Sequence, residues 1–165
     1  MSETIINYLE QRSASSLRAK DDAKGLEVHE CGIKQYQLNR FLYQFVGEPW
    51  KWTDRLCWTD EQWMDYAEND NLRTWMACLN GTPAGYFELQ RQDEGNVEIV
   101  LFGLAARFIG MGLGGFFLSH ALRSAWDWDG TRRVWLHTCT HDHPHALQNY
   151  TARGMELYRT ETVEG

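Results

Sequence analysis

Hydrophobic and polar positions change period several times along the 165 residues, and each change marks an element. Thr4 to Glu10 alternates loosely and predicts an edge strand. Residues 13 to 25, serine-rich and then charged, predict a loop. Leu26 to Glu30 alternates as a short strand. From Gln35 to Val46, the residues Tyr36, Phe41, Leu42 and Phe45 recur at helical spacing, and Gly47-Glu48-Pro49 stops that helix. Thr59-Asp60-Glu61-Gln62 has the form of a capping box and opens a second helix through Glu68. Leu72 to Leu79 and Ala84 to Gln90 flank Asn80-Gly81, a hairpin signal. Glu94-Gly95 then turns the chain into the apolar strand Val97 to Leu104, which carries Glu98. A helix from Gly112 to Trp126, a strand from Arg132 to Cys139, a helix from His143 or Pro144 to Gly154 and a strand from Glu156 to Thr162 complete the chain.

The junction between the apolar strand and the helix after it carries most of the chemistry. Ile109-Gly110-Met111-Gly112-Leu113-Gly114-Gly115 lets the backbone approach a ligand closely. The free N–H groups and dipole of the helix start then favour an anion such as a pyrophosphate. Gly110-x-Gly112-x-x-Gly115 satisfies the dinucleotide fingerprint as a string. That fingerprint also needs an acid at the end of the next strand, and Arg132 to Thr138 ends in none. No Lys-Ser or Lys-Thr follows the glycines, which excludes a nucleotide P-loop.

The loop resembles the acetyl-coenzyme A loop of the GNAT N-acetyltransferase superfamily, which reads Gln or Arg, x, x, Gly, x, Gly or Ala. In one register Ile109 takes the first slot and Met111 the third; in a second, Arg107 comes first, with Gly110 and Gly112 in the glycine slots. Glu98-Ile99-Val100 is similar to the fourth strand of histone-type acetyltransferases. Ala146-x-x-x-Tyr150-x-x-x-Gly154-Met155 is similar to the family's Ala-x-x-x-Tyr-Glu-Lys-x-Gly-Phe segment. The resemblance covers about residues 26 to 162.

It implies an α+β GNAT-type acyl-CoA N-acyltransferase fold: a mixed, mostly antiparallel sheet flanked by helices, with splayed fourth and fifth strands. It implies acetyl-CoA as acyl donor, Glu98 as general base and Tyr150 as general acid. Phe102, Gly103 and Leu104 would hold the pantetheine arm, residues 109 to 115 the pyrophosphate, and His143 the cofactor arm. The acceptor would be a small-molecule or peptide amine, attacking the thioester directly. The rival reading is a non-catalytic acyl-CoA-binding sensor or scaffold of the same fold.

Residue by residue, the same positions carry structural readings. By alternation Glu98 shares a face with Val100 and is not freely solvated. Gly103 in a strand core favours close approach or a bulge. Most of the aromatics Phe41, Tyr43, Phe45, Trp50, Trp52, Trp58 and Trp63 read as core packing and a lid. The resemblance implies that this region, with Trp50, Trp52 and Trp58, shapes the acceptor pocket, where flat faces for an ammonium are an alternative role. His137-Thr138-Cys139-Thr140-His141-Asp142-His143 is rich in metal-ligand types. No second Cys or His pair closes a four-ligand set, so no metal is assigned.

Composition narrows the partners. A net charge of −7 disfavours nucleic acid. Four scattered cysteines and the absence of a basic, apolar leader in Met1-Ser2-Glu3-Thr4 predict a cytoplasmic protein. The apolar stretch from Val97 to Leu118 contains Glu98 and Arg107, so it is read as strand and helix start and no membrane association is expected. One domain over residues 1 to 165 is expected, with residues 1 to 25 as an N-terminal edge strand and loop, and a homodimer is allowed.

Overall fold

A computed structural model describes residues 3–164. Seven strands form one sheet: β1 (Glu3–Gln11), β2 (Leu26–Glu30), β3 (Leu72–Leu79), β4 (Thr82–Arg91), β5 (Asn96–Leu104), β6 (Arg133–Cys139) and β7 (Glu156–Glu164). Four helices flank it: α1 (Tyr36–Gly47), α2 (Asp60–Ala67), α3 (Gly114–Asp127) and α4 (Ala146–Ala152). The sheet order is β2-β3-β4-β5-β6-β1-β7, antiparallel throughout except for β5 and β6.

The expected edge strand at Thr4 to Glu10 is interior. β1 pairs with β6 on one side and β7 on the other, and the edge strands are β2 and β7. Alternation reports which faces of a strand are buried; it carries no information on which edges are paired.

Each face of the sheet has its own core. Phe117, Leu118 and Leu122 of α3 pack on Phe87, Leu89, Val97 and Val134. Fully burying one such side chain contributes about 1.5–3 kcal/mol. On the opposite face Leu42 and Val46 of α1 meet Tyr86, while Tyr43 and Trp63 pack with Leu72. The buried stripe of α1 is Tyr36, Asn39, Leu42, Tyr43 and Val46. Two residues expected on that stripe, Phe41 and Phe45, face outward and stack on each other at 5.3 Å. A polar residue inside the stripe disguised it: Asn39 Nδ2 donates to Thr74 Oγ1 and to Glu88 Oε2, each at 2.9 Å.

The capping box at Thr59 and Gln62 is present and opens α2. Helix α3 begins at Gly114 rather than Gly112, because Gly112 has φ +77°, outside the right-handed helical region. β6 starts at Arg133, and α4 starts at Ala146 after a turn through Asp142 and His143.

The sheet opens where β5 and β6 diverge. Their parallel pairing spans only Asn96, Val97 and Glu98 against Arg133, Val134 and Trp135. Beyond Glu98, β5 pairs with β4 alone, and its register shifts so that Leu89 faces Ile99 while Glu88 faces Leu101. Val100 is the extra residue of this bulge. A bulge bends a strand and reverses its alternation. Glu98 therefore shares its face with Leu101, which packs on the α1 side of the sheet, while Val100 lines the same second cavity as Leu101. Alternate N–H and C=O groups of the remainder of β5 point into the gap with no β6 partner.

Candidate active site

Two cavities meet in that gap. The larger, about 540 Å³, runs from the end of β5 to the start of α3. Phe102, Gly103, Leu104, Ile109, Gly110, Gly112, Leu113, Gly114 and His143 line it, together with Asn149 and Tyr150 of α4. Of the residues expected to hold a cofactor, Met111 and Gly115 lie off this wall, and Met111 points outward. Ile109 lines the cavity and Arg107 does not, while the glycine slots of both registers, Gly110, Gly112 and Gly114, lie on the wall.

The loop is built to present backbone donors. Ile109 N–H closes a 3₁₀ turn onto Ala106, and Phe117 N–H is the first to bond back into the start of α3, onto Leu113. Among the described residues, the N–H groups of positions 110 to 116 have no partner within the protein. α3 also has no side-chain cap. At Gly103, a Cβ would come within 2.8 Å of Val46 Cγ1, so α1 and the Trp52 ring can close over the strand only where there is no side chain.

The second cavity, about 350 Å³, lies on the other side of the gap between α1, β5 and β6. Its wall includes Lys51, Asp54, Arg55, Leu101, His137 and Cys139. Trp50, Trp52, Phe102, Asp142 and Tyr150 line both cavities, so this group is the junction between them. Tyr150 is buried, its ring edge-on to Phe102 at 6.3 Å. Its hydroxyl makes no hydrogen bond among the described residues. Burial first, and the Asp142 carboxylate second, push the phenol far above its ordinary value, so it stays protonated. Asp142 is held by Thr138 Oγ1 and by the Cys139 N–H at 3.0 Å.

Glu98 lines neither cavity. It is 9% exposed and stands behind His137, whose Nε2 lies 3.9 Å from Glu98 Oε2. Trp135 Nε1 donates to Gln92 Oε1 at 2.9 Å, which turns the Gln92 amide to donate to Glu98 Oε1 at 2.9 Å. Burial raises the Glu98 carboxyl above the ordinary carboxylate range, opposed by His137 and by the Gln92 hydrogen bond. His137, weighed from sequence only as a metal-ligand type, thus stands between Glu98 and the second cavity, whose wall it lines with Lys51, Arg55 and His141.

Trp58 is not on either wall. It packs edge-on to Trp63 and Tyr66, and the Arg55 guanidinium sits 4.9 Å from its ring centre. Tyr43, Trp63 and Tyr66 complete the surround. The faces of this part of the aromatic cluster are taken up by the protein's own cation, whereas Trp50 and Trp52 line both cavities. Arg55 is fixed from the other side by Glu88, fully buried, with Nη1 to Oε1 at 3.2 Å, and by Tyr66 at 3.0 Å. Burial opposes the charge on Arg55, yet the attraction of Glu88 outweighs it and holds the guanidinium firmly charged.

Cys139 is the one cysteine of the second cavity wall, and burial, with Asp142, raises its thiol, which leaves it a poor nucleophile. β6 ends at Cys139, so His141 lies in a turn, its Nε2 3.2 Å from Thr4 Oγ1. No group of three or more metal-ligand side chains converges among the described residues. No helix among them is long and apolar enough to cross a membrane.

A family model described as the Acetyltransferase (GNAT) family matches residues 38–155. No curated protein matches the chain in sequence. Among solved structures, a GCN5-related N-acetyltransferase from Sphaerobacter thermophilus is 16% identical, with a TM-score of 0.72 over 97% of this chain and 50% of that one. A GCN5-related N-acetyltransferase from Kribbella flavida is also 16% identical, with a TM-score of 0.66 over 98% of this chain and 56% of that one. An aminoglycoside acetyltransferase from an uncultured soil metagenomic sample, in complex with trehalose, is 14% identical, with a TM-score of 0.61 over 79% of this chain and 88% of that one. The chain spans between 50% and 60% of the length of the first three solved structures it matches. At these identities the likeness shows a shared fold.

Proposed function

The chain belongs to the GNAT acetyltransferase family, and from that premise we propose that it transfers an acetyl group from acetyl-CoA to a primary amine by direct attack. The observation that carries this reading is the position of Tyr150, a protonated phenol on the walls of both cavities at their junction.

The residues present fit the donor. The unpaired N–H groups of positions 110 to 116 suit a pyrophosphate. The unpaired edge of β5 suits the amides of a pantetheine arm, which needs strand-like partners. When bound, acetyl-CoA supplies an activated thioester carbonyl. Free N–H groups of β5 near Leu101 and Phe102 are the donors available to polarise it.

The amine belongs in the second cavity. As it bonds to the carbonyl carbon it must lose a proton, and His137 is the imidazole on that wall with a buried carboxylate beside it. Glu98 stands behind His137 and is its partner in holding that proton. As the carbon–sulfur bond breaks, the Tyr150 hydroxyl supplies a proton to the departing sulfur or hydrogen-bonds its charge. The acyl group never needs a covalent stop on the protein, consistent with the protonated state of Cys139.

A volume of about 350 Å³ suits a small acceptor or the amine-bearing end of a larger one. Its wall mixes Lys51, Arg55 and His137 with Asp54 and Asp142, so charge alone does not select a polycation. The test is calorimetric titration with acetyl-CoA, followed by an amine panel scored for free thiol. Binding without thiol release on a broad panel contradicts the transferase and favours the non-catalytic module.

A further inference from the structure

Resting on the acetyl-CoA reading, we propose that Lys20 and Lys24, with Arg153 behind them, form a second anion subsite outside the main cavity, one that takes the ribose 3′-phosphate of coenzyme A. The segment between β1 and β2 is tied along the first turns of α3. Lys20 N–H donates to Ser119 Oγ at 2.9 Å, and Ser119 Oγ donates back to Gly115 O at 2.7 Å. Arg18 N–H bonds the carbonyl of Arg153, and Asp21 pairs with Arg123 at 2.6 Å. These ties deliver two lysines to the N-terminal pole of α3. A Cβ placed on Gly112 would lie 2.5 Å from Lys24 Nζ. One placed on Gly115 would lie 2.6 Å from Lys20 Cδ and 2.7 Å from Arg153 Nη1.

None of this charge is neutralised locally. Arg153 is 9% exposed, and its Nε and Nη1 have no hydrogen-bond partner. Neither lysine ammonium has a partner among the described residues. Of the nearby carboxylates, Asp21 is paired with Arg123, and Asp22 Oδ1 accepts the Lys24 backbone N–H at 3.1 Å. In a chain of net charge −7, three unpaired cations converge on a helix pole that is itself positive. A buried guanidinium lacking partners is costly unless an anion answers it.

The position selects the phosphate. Gly110, Gly112, Leu113 and Gly114 line the main cavity, whereas Gly115, Lys20, Lys24 and Arg153 do not. The loop N–H groups suffice for the pyrophosphate inside the cavity. The cations lie beside Gly112 and Gly115, just off the cavity wall, and with the pyrophosphate on the loop the phosphate left for them is the 3′-phosphate. This also accounts for the apolar residues Ile109 and Met111 in the loop, since the cationic charge comes from a different segment.

The test is calorimetry with coenzyme A and with dephospho-coenzyme A, on the wild-type chain and on the double variant K20M/K24M. Both lysines are exposed, so the variant should fold. Wild type is expected to prefer coenzyme A by about tenfold or more, as charge-assisted phosphate contacts imply. The double variant should lose that preference while binding dephospho-coenzyme A as before. Equal affinities in wild type, an unchanged preference in the variant, or equal weakening of both ligands overturns the subsite but leaves the acetyl-CoA reading standing. No binding of either ligand by wild type overturns both.

Discussion

His137 Nε2 lies 3.9 Å from Glu98 Oε2, at the point where β5 and β6 cease to pair. The separation of the strands thus exposes an imidazole to the acceptor cavity and keeps its carboxylate partner behind it. In the proposed reaction this arrangement would carry the proton away without Glu98 touching the amine.

The pair should govern the pH dependence of turnover. Burial raises the Glu98 carboxyl, so its basic form is lost as pH falls through that raised value, and the rate should fall with it. Glu98→Gln is expected to flatten this limb and to lower turnover by about 10²–10⁴-fold, the usual range for general-base assistance. His137→Asn should lower turnover comparably with little change in acetyl-CoA affinity. An unaltered pH profile in both variants would remove the pair from the mechanism.

The same carboxyl has a thermodynamic signature. Its folded-state pKa is raised above the unfolded value, so stability is fully present below the unfolded value and falls as pH rises through the folded one. A glutamine cannot ionise and escapes that loss. Glu98→Gln should therefore unfold at a higher urea midpoint than wild type at pH 8, and the advantage should vanish near pH 4. A variant less stable than wild type at pH 8 would show that the ionised carboxylate is net stabilising.

Tyr150→Phe tests the acid. The ring and its contact with Phe102 are kept and only the hydroxyl is lost. Turnover should fall by about 10²–10⁴-fold while acetyl-CoA affinity, measured by calorimetry, stays within a few-fold. Equal loss in both would make Tyr150 a packing residue for the cofactor.

The Arg55–Glu88 pair is predicted to be a structural requirement of the acceptor side. Arg55→Met leaves Glu88, fully buried, without its charge partner, and should cost about 3–5 kcal/mol in urea unfolding. Glu88→Gln keeps one acceptor oxygen, for either Asn39 Nδ2 or the Tyr66 hydroxyl, and leaves buried Arg55 without its carboxylate, so it should also destabilise the chain by about 3–5 kcal/mol. A loss under about 1 kcal/mol for Arg55→Met would place the pair among ordinary surface ion pairs.

Most elements were legible because one period dominated each: the Asn80-Gly81 hairpin, the Thr59 capping box and the glycine loop before α3 all form where the pattern put them. What was hidden lay in relations between segments. The interior position of β1 depends on two partners more than a hundred residues away. The Val100 bulge, which brings Leu101 onto the face of Glu98, leaves no residue signature of its own. Of the cavity walls, Tyr150 and the loop were readable through the family resemblance. His137 and Arg55 were not, since their roles arise only from what the sheet gap and the aromatic surround bring beside them.

The central claim is that acetyl-CoA enters the larger cavity and is consumed there. Its most direct test is calorimetric titration of the wild-type chain with acetyl-CoA, with free thiol then assayed across an amine panel. The account predicts saturable one-to-one binding and amine-dependent thiol release that Tyr150→Phe suppresses. No heat of binding and no thiol release at any concentration would contradict it.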